Sequence, residues 1–295
     1  MARCTIAVNA VANQSQLIRT APLPVRTHFR VRSGKRLDSC TSAGTFGTML
    51  RTARFTLLSF ALLFALPLGA HALVQWHEVD WTRSWSNADW SSTGTLPPAA
   101  AHPEAMVRIY AARVGRWRGI FAVHSWIVFK EPGAPAYERY DKVGWGRPIR
   151  HNGYAPDGRW YGNDPEVVFE ATGTEAEHLI PKLREAVETY PYALAGDYHV
   201  WPGPNSNTFT AYVVSRVPEM AVALPPTAIG KDFPIDGDWV GLAPSRTGFR
   251  VSLVGYAGLT LAWVEGVEIN ILGAIAGLDI RRPGIKLPGF GRIGI

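Results

Sequence analysis

Val107-Arg108-Ile109-Tyr110-Ala111, Ile120-Phe121-Ala122-Val123-His124-Ser125-Trp126-Ile127-Val128-Phe129-Lys130 and Tyr137-Glu138-Arg139-Tyr140-Asp141-Lys142-Val143-Gly144-Trp145 are the segments that decide the fold. The first and third alternate apolar with polar residues, the period of a strand with one face toward a core. The second is aromatic and β-branched along its length. Pro132-Gly133 supplies the turn between the second and the third. Three antiparallel strands are predicted, with His124 near the start of the middle one and Asp141 on its hairpin partner.

Downstream, residues 146–165 are rich in Gly, Asn and Pro and contain the turn signal Pro156-Asp157-Gly158, so a loop is expected. Thr174 with Glu177 fits a capping box. Ile180, Leu183 and Val187 share the face of the helix that follows, which Pro191 stops; Pro181 either kinks that helix or marks its first turn. A second helix is predicted over 206–217, with Phe209, Val213 and Val217 in one stripe and Pro218 at its end. Beyond Pro225-Pro226 the runs 249–253, 259–264, 267–272 and 274–280 are short, apolar and punctuated by glycine, the pattern of a β-meander. The fold class expected is α+β: an antiparallel sheet with a few packed helices and a C-terminal meander, in one globular domain over 102–295.

Upstream, residues 49–72 have the form of a secretory signal: Arg51 and Arg54, an apolar run over 55–66, then Pro67, Gly69 and Ala70-His71-Ala72. Leu73 is the expected mature start, Met49 the expected initiator, and 1–48 an upstream extension. The expected location is periplasmic or secreted; the alternative is an inner-membrane anchor through 55–75. Residues 1–72 hold nine Lys and Arg against one acid, which leaves 21 against 23 in the remainder. The whole-chain net charge of +6 therefore belongs to the leader, and nucleic acid is not an expected partner. Cys4 and Cys40 both precede the signal, so the exported part has no thiol for a disulfide or a nucleophile. Trp76, Trp81, Trp85 and Trp90 lie in a turn-rich arm over 73–101, fitted either to pin that arm to the domain or to form an interfacial belt beside a retained anchor.

The residues suited to chemistry are Ser206 and His124. A serine at a helix start lies near unpaired backbone N–H groups that stabilise an oxyanion, and an imidazole can take its proton. Asp141 is the first candidate to orient that imidazole and Glu138 the second. Asn205, Asn207, Trp126, Arg147, Trp160 and Asn163 are the substrate-side candidates. Each has a plainer role: Ser206 as an N-cap, His124 as a core histidine, the asparagines as turn residues. No metal or cofactor is expected. The histidines show no ligand spacing, Asp232, Asp236 and Asp238 mark a turn, and Gly289-Phe290-Gly291-Arg292-Ile293-Gly294 lacks the helix that a dinucleotide fingerprint needs.

Trp201 to Phe209, Ala122 to Phe129, Val143-Gly144-Trp145-Gly146, Trp160-Tyr161-Gly162-Asn163 and Leu224 to Asp232 resemble bacterial domain-of-unknown-function family 3750, from about Trp81 to the C-terminus. A looser resemblance is to circularly permuted papain-like hydrolases of the NlpC and lecithin:retinol acyltransferase type. These place a histidine at the head of a hairpin and the nucleophile later, at a helix start. His124, the hairpin to Asp141 and then Ser206 follow that order, with serine where those families have cysteine. The resemblance implies a permuted papain-like architecture and a serine-dependent amide or ester hydrolase or acyltransferase, acting on a cell-envelope small molecule, peptide or lipid. The alternative is a non-catalytic envelope module that binds a ligand or partner through a degenerate groove. Membrane contact follows if the signal is retained.

Overall fold

The computed structural model describes residues 42–294, with side chains from Gly47 onward. Cys4, Cys40 and the expected extension up to residue 41 lie outside the described residues. Every element downstream of Leu50 belongs to one compact unit.

The first elements form one continuous helix: α1 (Ser42–Phe60), a π-helical stretch (Ala61–Ala65) and α2 (Leu66–Trp76). By length and composition its span Gly47–Trp76 is able to cross a membrane. The helix runs through the expected cleavage site at Ala72 without a break. It carries one buried stripe, Phe64, Pro67 and His71, spaced to fall on one side, while Leu57, Leu58, Leu62 and Leu63 are exposed.

The central sheet comprises β1 (Met106–Arg113), β2 (Val123–Lys130), β3 (Glu138–Lys142), β4 (Ile149–His151) and β5 (Glu166–Thr172), in the antiparallel order β4-β3-β2-β1-β5. The three predicted strands are β1 to β3. The segment expected as loop supplies the edge strand β4, and the other edge strand, β5, follows directly after it. β5 escapes the period test because Val167-Val168-Phe169 lies between Glu166 and Glu170 on a half-exposed edge. α3 (Gly173–Glu188) and α4 (Ser206–Arg216) pack on one face of the sheet with Ile109, Ile127 and Phe129. α3 starts one residue before Thr174, so Thr174 and Glu177 lie inside the helix and form no capping box; Pro181 sits within it.

The second sheet is a meander of seven strands, β6 (Val240–Leu242), β7 (Gly248–Leu253), β8 (Ala257–Ala262), β9 (Gly266–Ile271), β10 (Ala274–Asp279), β11 (Gly284–Leu287) and β12 (Gly291–Gly294), each paired with its chain neighbours. The expected meander is present, three strands larger than the apolar runs indicate. The β9–β10 hairpin closes on Leu272 (φ 54) and Gly273 (φ 90), the two positive-φ residues of a type I′ turn.

Candidate functional site

Strand alternation decides what His124 meets. β2 is buried along its whole length because both of its faces are covered. Val123, Ile127 and Phe129 face α3 and α4. Trp126 and Val128 face the opposite way, into a second cluster with Tyr110, Tyr137 and Trp160, against which Trp90 and Tyr154 of the preceding arm and following loop pack. His124 belongs to this second face: its ring stacks on Trp160 with centroids 3.6 Å apart and planes within 5°.

On that face His124 joins a fully buried polar chain. His124 Nε2 lies 2.8 Å from Asp141 Oδ1. Arg139 donates to the same carboxylate through Nε (2.7 Å) and Nη2 (2.8 Å) and to the Ala155 carbonyl (2.6 Å), with its guanidinium 4.0 Å from the centre of the Trp126 ring. Burial alone would raise the Asp141 pKa; the Arg139 charge and the hydrogen bonds from His124 and Arg139 outweigh it and bring the value down to about 2. Burial likewise holds His124 below its usual value, against the pull of Asp141. An ionised carboxylate only accepts, so the neutral imidazole carries its proton on Nε2, and Nδ1 keeps a lone pair.

Ser206 is the first residue of α4, the helix on the other face. The residue that caps α4 is Asn205: its Oδ1 accepts from the Asn207 and Thr208 backbone N–H groups, and Thr208 Oγ1 accepts from the Asn205 backbone in return, a complete capping box. The Asn205 amide also donates to the carbonyls of Val200 and Ile229. Asn207 ties α4 to β2, accepting from Ser125 Oγ (2.9 Å) and donating to the carbonyls of Val123 and Ile229. Both amides are thus fully engaged within the protein. Next to Ser206 stands Tyr198: burial raises its phenol pKa, and hydrogen bonding from the Ser206 hydroxyl and backbone N–H opposes the rise.

The structure therefore brings His124 together with Asp141, but among the described residues no hydrogen bond joins Ser206 to His124. Glu138, the second orienting candidate, points to the helix side and is held by Arg184 at 3.0 Å. Trp126 Nε1 donates to the Pro156 carbonyl, and Asn163 donates to the carbonyls of Arg113 and Trp160. Arg147 is exposed. Three cavities, of about 300, 310 and 90 Å³, are lined by other residues than Ser206, His124 and Asp141. Sequence inspection misses Arg139 and Tyr198. Arg139 was open to inference, because residues two apart on a strand share a face and a buried Asp141 needs a counter-charge. Tyr198 lies in an irregular segment, where no period points to it.

Residues 104–233 match the family described as "Protein of unknown function (DUF3750)". That match spans the central sheet, both of its helices and the segment through Phe233, and stops before the meander. Comparison with curated proteins and with solved structures gives no match.

Proposed function

We propose that this chain is a membrane-anchored protein of the bacterial cell envelope whose central domain is a non-catalytic module for an envelope ligand or partner. What carries this reading is the opposition of faces. Ser206 begins a helix on one side of β2, whereas His124 leaves the other side, stacked on Trp160 and tied to Asp141 and Arg139. A nucleophile needs its base within hydrogen-bond reach. In this arrangement the polar chain instead fixes the packing of an aromatic cluster. The helix supports anchoring rather than cleavage, because its buried stripe is part of the fold. His71 packs edge-on against Phe290, with ring centroids 4.7 Å apart, and Phe64 is buried where the π-helical stretch meets β10. Cutting after Ala72 would remove both contacts.

A second reading, serine-dependent amide or ester hydrolysis, draws on one observation: the Asp141-bound imidazole keeps an unprotonated Nδ1, as a general base requires. Treating the full chain with a serine-reactive fluorophosphonate, followed by mass mapping, separates the two. The module reading expects Ser206 unmodified. An adduct on Ser206 that disappears in His124→Gln would establish the hydrolase instead.

A further inference from the structure

The C-terminal sheet is inverted relative to a sheet that faces water. Cross-strand register aligns Leu242, Phe249, Leu261, Val267, Leu278, Ile285 and Ile293 in one row and Val240, Val251, Leu259, Ile269 and Ala276 in the next, all on one face. This aliphatic face is the outer one: Leu242 is 55% exposed, Leu278 52% and Ile293 47%. The alternate positions, Ser252, Thr260, Glu268, Asn270 and Lys286, are buried against the rest of the protein. There Glu268 pairs with Lys231 and with Lys286 (2.5 Å), Asn270 donates to Asp232 (2.9 Å) and Ser252 to the Asp232 carbonyl (2.7 Å). The charged side of the sheet is its core side. Water favours the reverse, and a contiguous exposed apolar surface on this scale marks a contact with something apolar.

Continuity with the N-terminal helix identifies the occupant. The stretch Ala61–Ala65 packs on β10, and Ala276 of β10, which shares the outer row with exposed Leu259 and Ile269, is itself only 3% exposed. The membrane-length helix thus meets the sheet at its aliphatic face, and the two apolar surfaces are continuous. Trp239 and Trp263, 60% and 58% exposed, stand at opposite ends of β7, the amphipathic rings suited to a headgroup boundary. Among the described residues the strand order leaves β6 and β12 as the open edges of the sheet, and hydrocarbon does not tolerate the backbone of an open edge. We infer that the outer face of this sheet beds on the lipid bilayer, in contact with acyl chains at the interfacial depth rather than across the hydrocarbon centre. This goes beyond the anchoring proposed above and shares only the helix with it.

The test is depth-dependent quenching in the full chain. In a Cys4→Ser, Cys40→Ser background, Leu242→Cys, Leu278→Cys and Ile285→Cys carry an environment-sensitive fluorophore. Leu57→Cys reports on the helix, and Glu177→Cys, on exposed α3, is the control. The protein is reconstituted in phosphatidylethanolamine and phosphatidylglycerol vesicles containing doxyl-labelled phosphatidylcholine. The three sheet labels are expected to shift to the blue and lose most of their emission, with the Glu177 label unaffected. Sheet labels that stay unquenched while Leu57 is quenched overturn the bedded sheet and leave the anchor standing. Quenched sheet labels with an unquenched Leu57 sustain the bedded sheet and remove the anchor. Energy transfer between sheet labels of two copies, without lipid quenching, assigns the face to self-association and refutes the inference.

Discussion

Asp141→Asn isolates the chain that holds the aromatic face together. The side chain keeps its shape and can still bond His124, but it loses the charge that Arg139 contacts at 2.7 and 2.8 Å in a site with no exposure at either residue. Removing one member of a buried pair costs about 3–5 kcal/mol, because the other charge is left uncompensated. Arg139 retains its bond to the Ala155 carbonyl and its place over the Trp126 ring, so the low end, about 3 kcal/mol, is expected. In a domain of this size that lowers Tm by about 6–12 °C. The assay is thermal and urea denaturation of Asp141→Asn, Asp141→Leu, Arg139→Met and the double variant Arg139→Met/Asp141→Leu. The double variant should be more stable than either of its component single variants, since it leaves no unpaired charge. Loss of less than about 1 kcal/mol in Asp141→Asn, with additive effects in the double variant, would refute a buried, mutually dependent pair.

The same residues set the response to acid. His124 titrates below 6.5 in the folded state and Asp141 below 3.8, so the unfolded chain binds protons first in both cases and stability falls with falling pH. Unfolding free energy should decline as pH drops below 6.5, and again from 3.8 to about 2; His124→Gln should flatten the upper limb, as followed by circular dichroism across pH. The capping assignment separates neighbours. Asn205→Ala leaves the Asn207 and Thr208 N–H groups without their acceptor and should cost about 2 kcal/mol, whereas Ser206→Ala should cost under about 1 kcal/mol by chemical denaturation.

Alternation marks β1 and β3, the aromatic and β-branched run marks β2, and short apolar runs mark the meander, although there the polar Glu268, Asn270 and Lys286 turn inward. β1 to β3, α4 and the meander were therefore legible in the sequence, and the α+β class followed. β4 and β5 were not, because edge strands are half solvated and lose the period that reveals them. For the candidate site, the sequence identified the His124–Asp141 pair, because both fall on paired strands. It did not resolve the facing of His124 relative to α4. That depends on which side of β2 the helices cover, and a strand apolar on both faces carries no mark of it. Ser206 was also one residue from the true cap; Pro204-Asn205-Ser206-Asn207 offers three capping side chains in a row, and only geometry chooses among them.

The most direct measurement for the account as a whole is the amino terminus of the mature protein, determined by intact mass and N-terminal sequencing of material recovered from bacterial membranes. The anchoring proposed here, which rests on the burial of Phe64, Pro67 and His71, predicts a terminus upstream of Phe55 and resistance to extraction by salt or carbonate. A soluble periplasmic chain that begins at Leu73 and keeps its thermal stability would contradict it.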